Sequence, residues 1–375
     1  MAVDTPRETP AAAPASRTLR PFEALHEAAW LHLNGRTESA EEIFRAIRSG
    51  PAGRLARREL ELLLRSQHRW EESLEICREL AALDPGASEV QLFLALRLLA
   101  LGRYAEAWPL YDHRRRTPAA GPRPKLPMPE WQGDTVTSLL VLDEQGFGDT
   151  LQFARYLPLL RGRGIRVVLL CREPISPLLA PLVDDLVLTG SDQPVPRCDA
   201  WVSIGSLPWR FGATAENLPA EPYIRAPEDR RAAWANLPAA ARIGVVTRGK
   251  PTHVNDANRS MPHVAAMVAH SLPGAVSLES ETSPLGLKDF ADTAAVMERL
   301  DLIVSVDTGA AHLAGALGKP CWLLLPHLPD WRWMHDRADS PWYPSIRIYR
   351  QPAPGDWTSV LRLVRRDVRA LFGEG

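Results

Sequence analysis

The segment with the clearest potential for chemistry is residues 307–312, which read Asp-Thr-Gly-Ala-Ala-His. It follows the apolar run 302–306 and precedes small residues, which predicts a buried strand, a tight turn and a helix. Thr308 and Gly309 would lie at the helix N-terminus, where free N–H groups and the helix dipole favour an anion. His312 is one turn further along the same face, so it could contact the same phosphate group as Thr308. The alternative is a capping threonine followed by a structural histidine.

A second candidate site is the loop after the predicted strand 242–246. Arg248, Lys250 and Arg259 surround a glycine-containing stretch of this loop. Three cations at the carboxyl end of a strand suit a diphosphate, whose charge they would neutralise. The alternative is that these charges are solvated. The chain has no G-x-x-x-x-G-K-[ST] sequence, which argues against a P-loop nucleotidase.

A third candidate site is the turn after the predicted strand 138–142. Gly146 and Gly148 would let another group approach the backbone closely, and Gln152 lies in the helix that follows. A third glycine and an acidic ribose ligand are missing, so we exclude a nicotinamide cofactor. Asp149 either caps the helix or acts as a general base in a cleft between domains.

The composition excludes several function classes. A formal net charge of -1 gives no bulk attraction for nucleic acid or an anionic membrane. There is no D-x-D pair and no histidine cluster with metal-ligand spacing, so we expect no metal in the mechanism. No apolar stretch is long enough to span a bilayer. Four widely separated cysteines without a C-x-x-C pair indicate reduced thiols in a cytoplasmic protein.

The order of predicted elements indicates an α/β architecture after residue 135. Short apolar strands alternate with helices, and a second series begins near residue 242. Two successive series predict two doubly wound parallel sheets, with the ligand cleft at the carboxyl ends of their strands. The predicted strands are 138–142, 165–170, 186–188, 201–204, 242–247, 275–278, 302–306, 321–325 and 346–349.

The residues before the α/β region are predicted to be helical and repetitive. Arg69-Trp70-Glu71-Glu72-Ser73 recurs 34 residues later as Arg103-Tyr104-Ala105-Glu106-Ala107. A weaker copy precedes the first by 33 residues. A 34-residue helix–turn–helix period resembles tetratricopeptide repeats, of which about three units fit. Such units bind proteins, or they cap the next domain and mediate self-association.

These patterns predict five segments. Proline-rich sequence separates the helical region from the α/β region, because helices do not cross repeated prolines. The leader lacks the apolar core of a secretion signal and has a composition typical of disorder. The segments are a leader at 1–20, helical repeats at 21–117, a linker at 118–135, a first α/β domain at 136–238, and a second α/β domain with a closing helix at 239–375.

Taken together, the motifs resemble those of a known family. The chain is similar to the bacterial tetratricopeptide-containing glycosyltransferases, relatives of the family 9 heptosyltransferases with the GT-B fold. The resemblance runs from about residue 131 to the C-terminus, and the motifs are specific jointly rather than singly. They are Glu-Gln-Gly-Phe-Gly-Asp-Thr at 144–150, the loop 249–260, Phe-Ala-Asp-Thr-Ala at 290–294, the segment 307–315, Pro-Asp-Trp-Arg-Trp at 329–333 and Ser-Pro-Trp-Tyr-Pro at 340–344.

The resemblance implies roles for individual residues. Asp149 corresponds to the catalytic base, and Arg259 to the basic residue that meets the donor. The motif that starts at Asp307 implies donor-phosphate contacts for Thr308, Gly309 and His312. Arg248 and Lys250 stand where related chains usually have other residues. Trp331 and Trp333 could line the acceptor side, whereas core packing is favoured for Trp342.

The expected reaction is metal-independent, inverting transfer from a nucleotide-sugar to an acceptor hydroxyl. No cofactor is expected, and the nucleotide-sugar is the substrate. The helix N-terminus and nearby cations would stabilise the leaving nucleotide. Interdomain closure would exclude water.

Three functions remain open at this stage. The first is glycosylation of a protein recruited by the repeats. The second is assembly of lipopolysaccharide or another lipid-linked glycan, for which residues 114–116 and 362–369 are modest membrane-facing candidates. The third is a non-catalytic scaffold, which the unusual residues at 247–250 favour. A homo-oligomer is also expected, because repeat domains of this length often pair.

Overall fold

The structure is a computed structural model that describes residues 20–120, 124–279 and 283–373. The chain divides into two compact units, Met1–Leu80 and Ala81–Gly375. All of the predicted leader except Arg20 lies outside the described residues, as do residues 121–123 of the predicted linker. The five predicted segment boundaries stay predictions.

The first unit is helical. Its core is built from leucine and alanine side chains that recur at helical spacing, and Ala28, Ala40, Leu60 and Leu64 are fully or almost fully buried. The helices are α1 (Pro21–Leu33), α2 (Thr37–Ala46), α3 (Gly50–Ser66) and α4 (Trp70–Leu83), the last of which crosses the division between the units.

The second unit begins with two more helices, α5 (Ser88–Ala100) and α6 (Tyr104–Tyr111), followed by a 3-10 helix at Asp112–Arg116. The starts of α2, α4 and α6 are 33 and 34 residues apart, at positions 37, 70 and 104. This spacing matches the recurrence in the sequence. The assignment of the helices as tetratricopeptide repeats stays a prediction.

The first sheet has four parallel strands in the order β3-β2-β1-β4. Its central strand β1 pairs with β2 on one side and β4 on the other, so the chain changes direction across the sheet between β1 and β4. Ligands of doubly wound sheets bind at such a point, beyond the carboxyl ends of the strands. The strands are β1 (Ser138–Leu142), β2 (Arg166–Cys171), β3 (Asp185–Leu188) and β4 (Ala200–Ser203).

The second sheet has five parallel strands in the order β6-β5-β7-β8-β9. Its change of direction lies between β5 and β7, so the segments after these two strands meet. The predicted α/β class with two parallel sheets is confirmed. The strands are β5 (Ile243–Val246), β6 (Ala275–Ser277), β7 (Leu302–Val306), β8 (Cys321–Leu325) and β9 (Ile346–Arg350).

The helices around the sheets differ from the prediction at one place. The helix expected over 150–160 is broken into α7, a 3-10 turn at Ala154–Tyr156 and α8. Pro158 lies in the first turn of α8, where its missing N–H and fixed φ suit a helix start but not a helix interior. The helices are α7 (Phe147–Phe153), α8 (Leu157–Gly162), α9 (Ser176–Leu179), α10 (Leu207–Arg210), α11 (Glu228–Ala233), α12 (Asp256–Arg259), α13 (His263–His270), α14 (Phe290–Arg299), α15 (Gly309–Ala316) and α16 (Trp357–Phe372).

The core of the second α/β region lies between its sheet and the helices α13 and α16. Trp357, Val360, Val364 and Val368 of α16 are buried there at helical spacing. Strand β7 is buried at all five positions, as is usual when helices cover both faces of a parallel sheet. All four cysteines are buried and form no disulfide. None of the helices in the described ranges combines the length and the apolar character that a membrane crossing requires.

Candidate functional site

The helices that follow the two central strands meet at their N-terminal ends. A Cβ atom placed on Gly148 of α7 would lie 2.7 Å from His312 Cδ2 and 3.5 Å from Gly309 Cα of α15. These distances leave no room for a side chain at position 148, so glycine allows the two α/β regions to touch. The structure therefore brings the motif at residues 307–312 into contact with the turn after β1.

Asp149 lies in the first turn of α7. Its Oδ2 accepts a hydrogen bond from the N–H of Gly146 at 2.8 Å, which closes the turn before the helix. Gln145, three residues after β1, has φ +60°, an unusual value for a residue with a side chain. Gly146 is therefore the N-cap residue, and Asp149 supports it from the third position of the helix instead of capping the helix itself. The other oxygen faces the second α/β region.

Arg332 from the second α/β region is bound to Asp149. Its Nη2 donates to Asp149 Oδ1, its Nε donates to Gln152 Oε1 at 2.6 Å, and its Nη1 donates to Asp330 Oδ1 at 2.8 Å. The Arg332 residue is 8% exposed. Burial disfavours the guanidinium charge, but Asp330 and Asp149 outweigh this effect and raise the pKa of Arg332 well above its ordinary value.

Asp307 and Asp330 form an acidic pair on the other side of this contact. Burial and the nearby Asp330 carboxylate raise the pKa of Asp307 to about 6, although Arg332 and Arg259 partly offset them. Part of the Asp307 population is therefore protonated at a mildly acidic pH.

Thr308 and His312 occupy the start of α15, as the sequence predicts. Thr308 is the N-cap residue and is partly exposed, with its hydroxyl 3.3 Å from Ser305 Oγ. His312 is only 5% exposed, and its Nδ1 lies 3.0 Å from the Tyr343 hydroxyl. Burial and two nearby arginines lower the pKa of His312 well below its ordinary value, so its ring is neutral at pH 7. The structure thus places His312 inside the protein and Thr308 at its surface.

The loop after β5 contains the three predicted cations, but only one of them is held. Arg259 Nη1 donates to the main-chain oxygen of Asp307 at 2.9 Å, and its guanidinium lies where a Cβ on Gly249 would be. Arg248 and Lys250 are exposed and make no hydrogen bond or ion pair with any residue that the structure describes. The loop therefore presents two unengaged cations on either side of Gly249, which packs against the Arg259 guanidinium.

The aromatic residues expected on the acceptor side are buried. Trp331 and Trp333 are 5% and 0% exposed. Trp331 packs against Trp108 and Tyr111, and Trp333 stacks on His312 with ring centroids 5.2 Å apart. In this arrangement neither indole offers an exposed face to a sugar. The packing expected for Trp342 therefore applies to all three indoles.

Sequence reasoning missed the charged residues that join the elements. Arg332 lies between Trp331 and Trp333 in the motif at 329–333. An arginine between two apolar aromatic residues is a usable signal, because a buried cation requires partners. Arg155 was also missed; it donates to the main-chain oxygens of Trp342 at 2.6 Å and Pro219 at 2.9 Å.

Arg114 and Arg115 were named as part of a membrane-facing candidate surface, and the structure contradicts that suggestion. Both side chains are buried, with exposures of 4% and 9%. Arg114 donates to Asp112 at 2.9 Å and to Glu144 beside the Asp149 turn. Burial raises the pKa of Asp112, but the two arginines outweigh it and hold that pKa at about 2. The arginines fix the 3-10 helix to the first sheet and do not face solvent.

The described residues contain no group of three histidine, cysteine or acidic side chains arranged to hold a metal ion. The charged groups at the site are instead the cations Arg332 and Arg259, the acidic pair and Asp149. An anion bound here would be balanced by side-chain cations and helix N–H groups.

Part of the chain matches a known family. Residues 274–324 match the model of glycosyltransferase family 9 (heptosyltransferase). This segment runs from β6 to β8 and includes the motif at residues 307–312. The match confirms, at the level of this domain, the prediction of a glycosyltransferase.

Comparison with individual proteins gives more distant similarities. The chain is 26% identical to Protein FlbA of Caulobacter vibrioides over 345 residues, covering 78% of this chain and 57% of that protein. It spans little more than half the length of this relative. E. coli ADP-heptose lps heptosyltransferase II is 14% identical, with 62% of this chain and 99% of that chain covered at a TM-score of 0.43.

A further solved structure is TibC from enterotoxigenic E. coli, described as a bacterial iron-containing dodecameric glycosyltransferase. It is 15% identical and covers 66% of this chain and 76% of its own, at a TM-score of 0.38. The proposals below rest on the family match and on the geometry of this chain.

Proposed function

We propose that the protein is a metal-independent, inverting glycosyltransferase that uses a nucleotide-sugar donor. The observation that carries this proposal is the meeting of the turn that carries Asp149 with the start of α15. Gly148, the neighbour of Asp149 in one α/β region, touches the family-matched helix start of the other. Sugar transfer needs both a base for the acceptor and a site for the leaving phosphate.

The donor diphosphate would lie at the exposed edge of the α15 start. Thr308 and the first N–H groups of the helix supply hydrogen-bond donors, and Arg248 and Lys250 supply mobile positive charge. Arg259 would hold the loop against Asp307 and offer its remaining N–H groups. His312 would shape the helix start by its contacts with Tyr343 and Gly148 rather than touch the phosphate.

Asp149 would accept the proton of the acceptor hydroxyl as that oxygen attacks the anomeric carbon. The bond to the nucleotide breaks in the same step, and its electrons move onto the diphosphate oxygen. Helix N–H groups and the loop cations would stabilise this charge, the role that a metal ion plays elsewhere. The reaction inverts the configuration at the anomeric carbon because attack and departure occur on opposite faces.

For the acceptor, we propose a protein recruited by the helical region in the cytoplasm. The description of the matched family favours a second candidate, transfer of a heptose onto a glycan such as lipopolysaccharide. The two candidates share the donor site and differ only in the acceptor. Competition between protein and glycan acceptors distinguishes them once a donor is known. We also propose a homo-oligomer, which sedimentation tests.

Calorimetric titration in the presence of EDTA tests the donor site. The ligands are the diphosphates of adenosine, uridine, guanosine, cytidine and thymidine, and ADP-heptose is the first nucleotide-sugar to try. We expect one nucleotide to bind without metal, and Arg259→Ala to weaken it about tenfold by removing a charge-assisted contact. Arg299→Ala, an exposed arginine at the end of α14, is the matched control. Absence of binding by every nucleotide would contradict the proposal and favour a non-catalytic scaffold.

A further inference from the structure

Asp149, proposed above as the base, is held in place by other residues. Both oxygens of Asp149 are engaged, one by the N–H of Gly146 in its own turn and one by Arg332 from the other α/β region. Each carboxylate oxygen has a second lone pair, so a proton-accepting position remains on each. The position of the carboxylate is therefore determined partly by a residue 183 positions away in the chain.

Arg332 is itself held in place on several sides. Its guanidinium donates to Gln152 at 2.6 Å and to Asp330 at 2.8 Å, and it lies 4.4 Å from the centre of the Trp331 ring. On one side Trp331 packs against α6, and on the other Trp333 stacks on His312. The side chain thus has few alternative positions. A planar donor fixed in this way orients a carboxylate more precisely than a flexible ammonium does.

Stability alone does not explain this ion pair. Buried pairs of charges cost so much to remove from water that apolar replacements are often as stable or more so. The backbone on both sides of the pair is also strained. Gln145 and Met334 have φ values of +60° and +51°, and they are two of the three non-glycine residues with positive φ among the described residues. Such strain occurs where the surrounding structure enforces a particular geometry.

We propose that Arg332 is the positioning residue for the Asp149 base, so that the base is assembled only when the two α/β regions are in contact. This inference rests on the proposed function and deepens it. Separation of the two regions would remove Arg332 and leave the carboxylate held only by the N–H of Gly146. Proton abstraction would thereby be confined to the closed arrangement, in which water is excluded.

The test compares Arg332→Gln and Arg332→Lys with the wild type in steady-state release of nucleotide from the donor that binds. We expect kcat to fall by up to about a hundredfold in Arg332→Gln, the cost of a misplacement of about 1 Å. KM should change little, because the donor phosphates lie elsewhere. Arg332→Lys should recover part of the loss. Arg337→Gln, an arginine in the same segment that pairs with Asp339, is the matched control and should retain wild-type rates.

A rescue experiment separates positioning from a general structural role. Guanidinium ions at millimolar concentration should restore part of the rate in Arg332→Ala and have no effect on Asp149→Asn. If the Arg332 variants do not fold, Asp330→Asn loosens the same guanidinium from a partly exposed position and should lower kcat in the same direction.

The outcomes distinguish the two proposals. If Asp149→Asn is inactive while Arg332→Gln has wild-type kcat, the positioning role is wrong and the proposed function stands. A loss confined to KM would also overturn it, because Arg332 would then bind substrate instead. If the wild type releases no nucleotide from any donor, both proposals are wrong.

Discussion

The turn after β1 and the loop after β5 both follow the central strand at which a parallel sheet changes direction, yet their polar side chains behave in opposite ways. In the turn, Glu144 and Asp149 are each bound to an arginine from a distant part of the chain. In the loop, Arg248 and Lys250 extend into solvent. The turn is organised before any ligand arrives, whereas the loop holds Arg259 against Asp307 and keeps its other two cations available.

This difference suggests that the turn and the loop have different roles in the proposed reaction. Catalytic groups must be fixed in advance, because reorganisation during the reaction adds to the barrier. Groups that capture a charged ligand gain from exposure, since they attract it through water and close on it afterwards. Under the proposed function, proton transfer therefore belongs to the turn and capture of the nucleotide to the loop.

The largest expected effect comes from removing the charge in the turn. Asp149→Asn keeps the size of the side chain but cannot accept a proton, so kcat should fall by about 10²- to 10⁴-fold. Nucleotide affinity should stay within a few-fold of the wild type, because the donor is captured by the loop. Steady-state kinetics and calorimetry measure the two quantities. Asp192→Asn, at an exposed position, is the control, and equal losses of rate and affinity would abolish the distinction between the regions.

The next largest effect is a loss of stability when the contact between Gly148 of the turn and His312 of α15 is disturbed. A methyl group on Gly148 would lie 2.7 Å from the buried His312 ring, so Gly148→Ala should destabilise the protein by about 1–3 kcal/mol. Gly162→Ala, in α8 with nothing within 4 Å of the added atom, is the matched control. Chemical denaturation measures both variants. Equal stability of the two would mean that the turn does not touch α15.

A smaller effect is expected in the loop. The double variant Arg248→Ala and Lys250→Ala should weaken nucleotide binding on the order of tenfold at low salt, and less at high salt, because exposed charges are screened. The melting temperature should not change, since neither side chain holds the structure together. The same pair of changes at Arg362 and Arg365, exposed on α16, controls for net charge. Loss of stability without loss of binding would reverse the roles of the two regions.

The smallest effect is a dependence of stability on pH. The pKa of Asp307 is about 6 in the folded protein and lower in the unfolded chain, so the folded state holds more protons between about pH 4 and 6. The free energy of unfolding therefore falls as the pH rises through this window. Above the window the full loss of stability from ionised Asp307 is present. Asp307→Asn should melt higher than the wild type at pH 7.5 and similarly near pH 4. A constant difference across this range would contradict the assigned titration.

The sequence predicts the elements better than it predicts the contacts between them. All nine predicted strands exist, because runs of valine, isoleucine and leucine bounded by turn residues are local signals. The break before α8 was missed, although Pro158 is a local signal as well. The turn and the α15 start both follow central strands of parallel sheets, and the sequence predicts a ligand cleft at the carboxyl ends of such strands.

The partners of the charged side chains could not be read from the sequence. Arg332 meets Asp149 across 183 residues, and Arg114 meets Ser206 across 92. Periodicity and composition carry no information about such pairs. Arg114 lies in a run of three arginines, and nothing in that run distinguishes a buried arginine from an exposed one.

A structure of the protein with the bound nucleoside diphosphate tests the central claim most directly. The account predicts a phosphate oxygen within about 3 Å of a main-chain N–H at the start of α15, with Arg248 or Lys250 closing over it. Asp149 should remain bound to Arg332 beside the vacant sugar position. A nucleotide found away from α15, for example in the shallow apolar groove around Phe22 and Pro51 of the first unit, would contradict the account.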